Sequence, residues 1–295
     1  RVGSPRYWSA IEDNVSPRRT TWTTSAASVV SIGECMVELR RRADGAYEQG
    51  FAGDAYNVAA YLKRSAPNLD VAFLTATGSD QLSAAMRDAW REEGVTDAFA
   101  FIASDALPGL YMINLDQHGE RTFTYWRSTS AARRWFACLV ENGGVDVLRR
   151  ARLIYFSGIS LAILPERDRA PALTLIAEAR GAGAKIAFDP NYRAALWRNK
   201  DEARRWVGAA LDIADIVRPS QEDLDALQLT LPTTAEVVIT RGAGGCVIVS
   251  HERQLNFSRT CSVTNHCRGT TSSVSVMSSP ILQSLLPPQH GHLAG

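Results

Sequence analysis

Short apolar runs alternate with longer amphipathic stretches from residue 28 onward. The runs are SVVSIG (28–33), VAFLTATG (71–78), ARLIYFSGI (151–159), KIAFDPN (185–191), IVRPS (216–220), EVVITRG (236–242) and CVIVS (246–250). Continuous apolar runs of this length, several ending at Gly, Pro or Asn, are typical of buried strands. Between two of them, Asp80 and Gly94 are suited to begin and end a helix. The alternation predicts an α/β fold with a mostly parallel sheet covered by helices on both faces.

One segment departs from this alternation. In PGLYMINLDQHGERTFTYWR (108–127), apolar side chains alternate on both sides of a Gln-His-Gly turn at residues 117–119, which places His118 at the tip. This pattern predicts a β-hairpin rather than a strand–helix–strand unit. A small antiparallel flap beside a parallel sheet can cover a ligand site or form a contact in a homo-oligomer, and the two roles are compatible.

The overall composition excludes several classes of partner. The chain has 295 residues, enough for one large domain or a domain with an attachment, and a formal net charge of +1. A charge so near zero leaves no strong electrostatic footprint for nucleic acid or an anionic membrane. No apolar run approaches the roughly 18 residues of a membrane-spanning helix. We therefore expect small-molecule ligands, and neither nucleic acid nor membrane.

The cysteines and the first residues bear on the compartment. Five cysteines are scattered along the chain without a C-x-x-C pair, which indicates neither a zinc site nor a disulfide framework. Residues 1–27 are rich in Ser, Thr and Arg but lack the apolar core of a signal peptide. We interpret residues 1–27 as a disordered leader and expect a cytoplasmic protein.

Ligands of open parallel sheets bind outside the carboxyl ends of the strands, so polar groups at strand ends are candidates. In FAGDAYNVAAYLKR (51–64) a Gly-Asp turn precedes a helix with Asn57 in its first turn. In FDPNYRAALW (188–197) Asp189, Asn191, Tyr192 and Arg193 follow an apolar strand directly. Either segment can hold a ligand, and each has a simpler interpretation as a helix cap or a proline-directed turn.

A glycine-rich turn, TRGAGGCVIVS (240–250), joins the last two apolar runs. Glycines let backbone N–H groups approach phosphates closely. The segment matches neither the Walker loop nor the dinucleotide-binding fingerprint, and taken alone it predicts a tight hairpin.

Taken together, the segments SIGECMVEL, FAGDAYNVAAYLKR, PGLYMINLDQHGERTFTYWRSTSAAR, FDPNYRAALW, RPSQEDL and TRGAGGCVI occur in an order that resembles the ribokinase-like sugar kinases of the phosphofructokinase-B superfamily. Within that superfamily the chain is most similar to the 2-keto-3-deoxygluconate kinases. The resemblance covers roughly residues 28–250 and implies one ribokinase-like domain there, with a lid hairpin at about 108–127. It implies transfer of the γ-phosphate of ATP to a sugar acid, giving the 6-phosphate, with Mg²⁺ bridging the phosphates.

The resemblance also implies roles for individual residues. Those on the sugar side are Gly53, Asp54 and Asn57 for hydroxyls, Tyr111 and Tyr125 for packing or hydrogen bonding, Arg127 for the carboxylate, and Arg193 between sugar acid and transferred phosphate. Those on the nucleotide side are Asn191, Ser220, Thr240, Arg241, Gly242 and Gly245. Where many members carry Asn-x-x-Glu near magnesium, this chain has Ser220-x-x-Asp223, so Asp223 is a weak candidate for the metal.

The arginine of the flap also favours an acidic sugar on electrostatic grounds. An uncharged aldose would leave a buried Arg127 without a counter-charge, which is costly. A carboxylate accepts two parallel hydrogen bonds from a guanidinium. Two alternatives stay open: a kinase for a neutral ketose or nucleoside, and a catalytically inactive sugar-acid binding protein.

The resemblance ends before the catalytic loop. Members carry Gly-Ala-Gly-Asp, whose Asp is the general base, about two dozen residues after the glycine turn; here the segment reads NHCRGTTSSVS (265–275). No Asp or Glu follows Glu252. We interpret residues 251–295 as an aberrant or divergent tail, by hypothesis a departure from the ancestral reading frame. The catalytic residue is therefore unassigned, and we expect impaired turnover.

Overall fold

The computed structural model describes residues 28–42, 44–115, 121–250 and 253–257. The strands within these ranges are β1 (Val29–Ile32), β2 (Met36–Arg41), β3 (Tyr47–Ala52), β4 (Val71–Thr77), β5 (Ala100–Ile102), β6 (Gly109–Leu115), β7 (Arg121–Trp126), β8 (Leu153–Ser157), β9 (Lys185–Asp189), β10 (Ile216–Val217), β11 (Glu236–Thr240), β12 (Cys246–Ser250) and β13 (Arg253–Phe257). The α-helices are α1 (Asp54–Ser65), α2 (Gln81–Glu92), α3 (Trp135–Glu141), α4 (Val145–Arg150), α5 (Gly158–Ala162), α6 (Glu166–Gly181), α7 (Lys200–Leu211) and α8 (Gln221–Leu227).

The main sheet has the strand order β13-β12-β11-β10-β9-β8-β1-β4-β5. Neighbours from β11 through β5 are parallel, whereas β12 and β13 add to the β11 edge in antiparallel fashion. The seven apolar runs identified in the sequence form seven of these nine strands. The predicted α/β fold with a mostly parallel sheet is confirmed.

Burial on both faces explains why these strands are continuous apolar runs. In β1, Val30 and Ile32 point into one hydrophobic cluster, whereas Val29 points into another on the opposite face. In the second cluster Phe73 packs edge-on against Trp90 of α2, with ring centroids 5.0 Å apart. Each face is therefore covered, and polar ligands can reach the sheet only at its edges.

Helix α2 begins and ends where its sequence predicts. The Asp80 carboxylate accepts a hydrogen bond from the backbone N–H of Ser83 at 3.0 Å, which caps the first turn. Gly94 follows the helix with φ of +75°, a conformation that side chains disfavour. Both the start at Asp80 and the stop at Gly94 are confirmed.

A second, four-stranded sheet forms the lid, with the order β3-β2-β6-β7. Strands β6 and β7 are antiparallel, with Tyr111 opposite Tyr125 and Ile113 opposite Phe123, as predicted for the hairpin. Its predicted turn at residues 117–119, including His118, lies outside the described residues. The sequence did not reveal β2 and β3, because charged and exposed residues interrupt their alternation. The lid is thus twice as wide as the predicted hairpin.

The main sheet extends beyond residue 250, where the sequence interpretation placed the start of the tail. Strand β13 continues the antiparallel register of β12, with Ile248 opposite Leu255. The leader interpreted at residues 1–27 and the tail beyond residue 257 lie outside the described part of the chain. Within the described part, none of the helices has the length and apolar character that crossing a membrane requires.

Candidate active site

Four neighbouring strands of the main sheet bring polar residues to one edge. Ser157 and Asp189 end β8 and β9 and are partners in the parallel register. Glu34 follows β1 and Arg218 follows β10, the strands on either side of that pair. Ser157, Asp189 and Glu34 are buried, and the side chain of Arg218 is 11% exposed. The carboxyl ends of the strands, where parallel sheets bind ligands, are therefore lined by polar groups that are largely shielded from water.

Arg127 lies at the base of the lid in an ion pair with Glu34. Its Nη2 donates to Glu34 Oε2, and the two side chains are 11% and 1% exposed. Ser130 Oγ donates to the other carboxylate oxygen at 2.5 Å. The Arg127 Nε is buried and has no hydrogen-bond partner among the described residues. Burial raises the pKa of Glu34, and Arg127 and Ser130 oppose that rise.

This ion pair corrects the electrostatic argument made from the sequence. Arg127 already has a buried counter-charge, so a neutral ligand would not leave the guanidinium unpaired. Burial of Arg127 therefore does not by itself require an acidic sugar. Its role as a ligand of a sugar carboxylate stays a prediction.

Gly53 lies where helix α1 meets the crossing from β1 to the lid. A Cβ atom at this position would lie 2.0 Å from the carbonyl oxygen of Glu34. The helix can approach this crossing so closely only because residue 53 has no side chain. The Asn57 backbone N–H donates to the Gly53 carbonyl at 2.8 Å, the first hydrogen bond of the helix.

Asp54 contacts the last residue of β8 and the turn that follows β9. Its Oδ2 accepts a hydrogen bond from Asn191 Nδ2 at 3.0 Å and another from Ser157 Oγ. The second carboxylate oxygen, Oδ1, makes no hydrogen bond that the described residues reveal. Asp54 is thus held by one oxygen, and its role toward a sugar hydroxyl stays a prediction.

An open cavity of about 950 Å³ lies between the lid and helices α1 and α2. Asn57 and Tyr111 line it, together with Glu38 and Phe123. The Tyr111 hydroxyl donates to the Glu38 carboxylate. Burial, followed by this contact with Glu38, raises the pKa of Tyr111. Two of the residues predicted to bind the sugar therefore line this cavity: Asn57 from α1 and Tyr111 from the lid.

Tyr125 extends the aromatic surface of the lid. Its ring centroid lies 5.7 Å from that of Tyr111 and 6.2 Å from that of Phe123. The Tyr125 side chain is about half exposed, and Arg127 Cζ lies 5.9 Å from its ring centroid. Alternate residues on β7 point to one face, so Phe123, Tyr125 and Arg127 form a row on the same side of the lid as Tyr111.

The turn after β9 is held in an unusual backbone conformation. Asn191 has φ of +35°, in the left-handed region that Asn tolerates better than most residues. Its backbone N–H donates to Asp189 Oδ1 at 3.0 Å, and its side chain reaches Asp54. Asn191, predicted for the nucleotide, therefore contacts a residue predicted for the sugar. Arg193 is exposed and donates to the Tyr192 carbonyl at 3.0 Å.

A second buried ion pair joins Asp189 to Arg218. Arg218 Nη2 donates to Asp189 Oδ2, and the side chains are 11% and 4% exposed. Tyr155 Oη lies 3.5 Å from the same oxygen. Burial raises the pKa of Tyr155, and the adjacent Asp189 raises it further. The pair fixes the ends of β9 and β10 below the turn that carries Asn191.

Asp223 serves as part of a helix cap. Its Oδ2 accepts the Ser220 backbone N–H at 3.0 Å while Ser220 Oγ accepts the Asp223 N–H, a reciprocal capping box at α8. Its Oδ1 accepts the Tyr192 N–H at 2.8 Å. Within the described ranges no cluster of three or more His, Cys, Asp or Glu is arranged to hold a metal. The metal role of Asp223 stays a prediction.

The glycine-rich turn connects β11 to β12 as a tight hairpin. Thr240 pairs with Cys246 in the antiparallel register, and the Arg241 N–H donates to the Gly245 carbonyl at 2.9 Å. Gly242 and Gly245 have φ of +51° and +85°. Thr240 N–H donates to the Pro219 carbonyl at 3.0 Å, which brings this turn beside the start of α8. The predicted nucleotide residues Ser220 and Thr240 thus lie together.

Sequence reasoning did not select Glu34, Glu38, Ser157 or Arg218 as site residues. Three of them stand at or just after apolar runs, and that position is the signal that could have identified them. Glu38 lies on a lid strand that was not recognised. The segment at 265–275, where the general base was sought, lies outside the described residues.

A family model described as "pfkB family carbohydrate kinase" matches residues 26–264. The 2-dehydro-3-deoxygluconokinase of Dickeya dadantii (strain 3937) is 39% identical over 234 residues, 75% of this chain and 75% of that protein. The 2-dehydro-3-deoxygluconokinase of Escherichia coli (strain K12) is 37% identical over 233 residues, again 75% of each. The crystal structure of a PfkB protein from Polaromonas sp. JS666 superposes with a TM-score of 0.69 at 24% identity, covering 79% of this chain and 82% of that one. The last similarity concerns the fold alone.

Proposed function

The chain belongs to the pfkB family of carbohydrate kinases and is a sugar kinase, and from this premise we propose that it phosphorylates 2-keto-3-deoxygluconate (2-dehydro-3-deoxygluconate). The observation that carries the choice of substrate is the 37–39% identity to two enzymes of that name over three quarters of the chain. The γ-phosphate of ATP would pass to the 6-hydroxyl, with release of ADP and a proton.

We assign the sugar to the space between the lid and the start of α1. Asp54 Oδ1 and Asn57 would accept or donate hydrogen bonds to hydroxyls, and Gly53 permits the close approach of the helix. Tyr111 and Tyr125 would pack against the carbon chain from the lid. The buried ring of Tyr111 and the half-exposed ring of Tyr125 suit the apolar side of a sugar acid.

Arg127 and Arg193 are the proposed cationic contacts. The buried Nε of Arg127 has no hydrogen-bond partner among the described residues, so a carboxylate bound there would satisfy a donor that is otherwise costly to bury. Arg193 is exposed beside the Asn191 turn and would contact the incoming phosphate. Transfer of a phosphoryl group depends chiefly on such positioning and charge stabilisation.

We place ATP along the edge formed by the glycine turn and the start of α8. The residues proposed to contact it are Asn191, Ser220, Thr240, Arg241, Gly242 and Gly245. The hydrogen bond from the Thr240 N–H to the Pro219 carbonyl supports this assignment, because it brings the glycine-rich turn beside Ser220 at the start of α8. Mg²⁺ would supply charge neutralisation on the phosphates.

The rate of this particular chain is a separate expectation. No general base is assigned among the described residues, and loss of such a base costs about 10²–10⁴-fold. We therefore expect slow turnover with intact sugar binding. We further propose a cytoplasmic protein, consistent with Cys35, Cys138 and Cys246 being free thiols, and a homo-oligomer.

A kinase for a neutral ketose or nucleoside is the second candidate. Because Glu34 already provides Arg127 with a counter-charge, the guanidinium alone does not exclude an uncharged ligand.

Calorimetry with 2-keto-3-deoxygluconate and fructose, followed by a coupled ADP-release assay, tests these candidates. Arg127→Lys is the informative variant, because it keeps a cation beside Glu34 while removing the planar fork. We expect it to weaken sugar-acid binding about tenfold or more. Arg134→Lys, at an exposed arginine paired with Asp105, is the control and should bind normally. Preference of the parent chain for fructose would overturn the sugar-acid assignment.

A further inference from the structure

We propose that Glu34 is a positioning residue for sugar recognition, which holds the guanidinium of Arg127 toward the ligand and so sets the preference for acidic over neutral sugars. This inference rests on the proposed function and extends it to a residue outside the set of ligands assigned above. Glu34 itself would not touch the sugar.

The first observation is the place of the contact in the chain. The chain first leaves the main sheet for the lid at residues 33–35 and leaves the lid for the last time after β7, at residues 127–130; between these it crosses at Gly53 and between β5 and β6. Glu34 lies on the first crossing, and its partners Arg127 and Ser130 lie on the last. One carboxylate therefore ties the first crossing to the last.

The second observation is how the contact uses the guanidinium. Of the guanidinium nitrogens of Arg127, Nη2 donates a hydrogen bond to Glu34. The Nε of Arg127 stays buried without a partner in the described part of the chain. An arginine held from one side of its fork can present the remaining donors to a second carboxylate. Placing those donors correctly matters because recognition through a fork depends on geometry.

The third observation is that the surroundings leave Glu34 little freedom. Its carboxylate is 1% exposed, and a Cβ atom at Gly109 would lie 2.7 Å from Oε1. Its carbonyl oxygen packs against Gly53 in the same way. Two glycines, one on the lid and one at α1, thus allow the main chain to close around this residue. A carboxylate so confined is suited to orient a partner.

Burial and the nearby Asp54 both raise the pKa of Glu34, whereas Arg127 lowers it. Asp54, the predicted ligand of a sugar hydroxyl, is therefore near enough to Glu34 for the two charges to interact.

The test compares dissociation constants for 2-keto-3-deoxygluconate and fructose, measured by calorimetry on the full chain. The variants are Glu34→Gln, which removes the charge but keeps the shape, and Ser130→Ala, which only frees one oxygen of Glu34. We expect the sugar acid to bind at least tenfold more weakly to Glu34→Gln and about threefold more weakly to Ser130→Ala. Fructose binding should change less than twofold in both, so the acid-to-neutral preference falls.

Glu202→Gln is the matched control, since Glu202 forms a similarly buried ion pair with Arg169 on helices away from the lid. It should leave both dissociation constants unchanged. If Glu34→Gln does not fold, Ser130→Ala still decides the matter. An unchanged preference in the folded variants, or tighter acid binding, overturns the inference while the proposed function stands. A parent chain that does not bind the sugar acid overturns both.

Discussion

Asn191 Nδ2 donates a hydrogen bond to Asp54 Oδ2 at 3.0 Å, although 137 positions separate the two residues in the chain. The contact joins the turn after β9 to the first residue of α1. The resemblance assigned Asn191 to the nucleotide and Asp54 to the sugar. Their contact indicates that the two sides of the site share a supporting residue, so a change at Asn191 should affect sugar binding.

Two substitutions at Asn191 separate the contribution of its side-chain hydrogen bond from that of its left-handed backbone conformation. Asn191→Ala removes the hydrogen bond to Asp54 and places an alanine at φ of +35°. Asn191→Gly removes the same hydrogen bond but tolerates that conformation. We expect losses of about 2 and about 1 kcal/mol respectively in the free energy of unfolding, measured with urea. Equal losses would show that the left-handed conformation is not retained.

Gly53 should tolerate no side chain. Gly53→Ala would place a methyl group 2.0 Å from the Glu34 carbonyl, and we expect the unfolding free energy to fall by roughly 2–3 kcal/mol. Gly208→Ala is the control, because that glycine lies within α7 with open space around it. It should stabilise the chain by about 0.5–1 kcal/mol. A neutral Gly53→Ala would contradict the close approach of α1.

Asp223 can be tested as a cap against its predicted metal role. Asp223→Ala should cost about 2 kcal/mol in unfolding free energy, because two backbone N–H groups lose their acceptor. Asp225→Ala, at an exposed carboxylate of the same helix, should cost about 0.5 kcal/mol or less. Addition of Mg²⁺ without nucleotide should not change the melting temperature of either variant. A Mg²⁺-dependent shift lost only in Asp223→Ala would instead support the metal role.

Glu202 contributes to folding stability, and this contribution is lost at low pH. Burial opposes its ionisation, but hydrogen bonds from the Arg198 backbone N–H and from Arg169 outweigh that effect and lower its pKa below the ordinary 4.5. Stability from such a group is present above pH 4.5 and is lost as the pH falls through the lower folded-state pKa. Glu202→Gln should therefore cost about 2 kcal/mol at pH 7, and progressively less below pH 4.5. A cost independent of pH would contradict the ionised state.

The strands and the main helix boundaries were within reach of sequence reasoning. Hydrophobic runs such as SVVSIG are local and depend only on burial on both faces, so they identified seven strands. The capping contact of Asp80 spans three residues and is equally local. The hairpin β6–β7 was predictable from alternation, whereas β2 and β3 were not, because their outer residues are charged.

The candidate site was predictable in part. Residues such as Asp54, Asn191 and Ser220 stood out by their position at helix starts and strand ends, and the structure brings Asp54 and Asn191 into contact. The partners of Arg127 could not be inferred, since nothing near residue 127 in the sequence points to Glu34. The electrostatic argument for an acidic sugar failed for that reason.

The amino-acid sequence alone determined the class of fold, seven strands of the main sheet and the family to which the chain is similar, because periodicity and short motifs are local properties. Only the tertiary structure decided which charges neutralise one another. Arg127 pairs with Glu34 across 93 positions and Arg218 with Asp189 across 29. Such pairings follow from the side-by-side alignment of parallel strand ends and from the crossings between the main sheet and the lid, which no local pattern encodes.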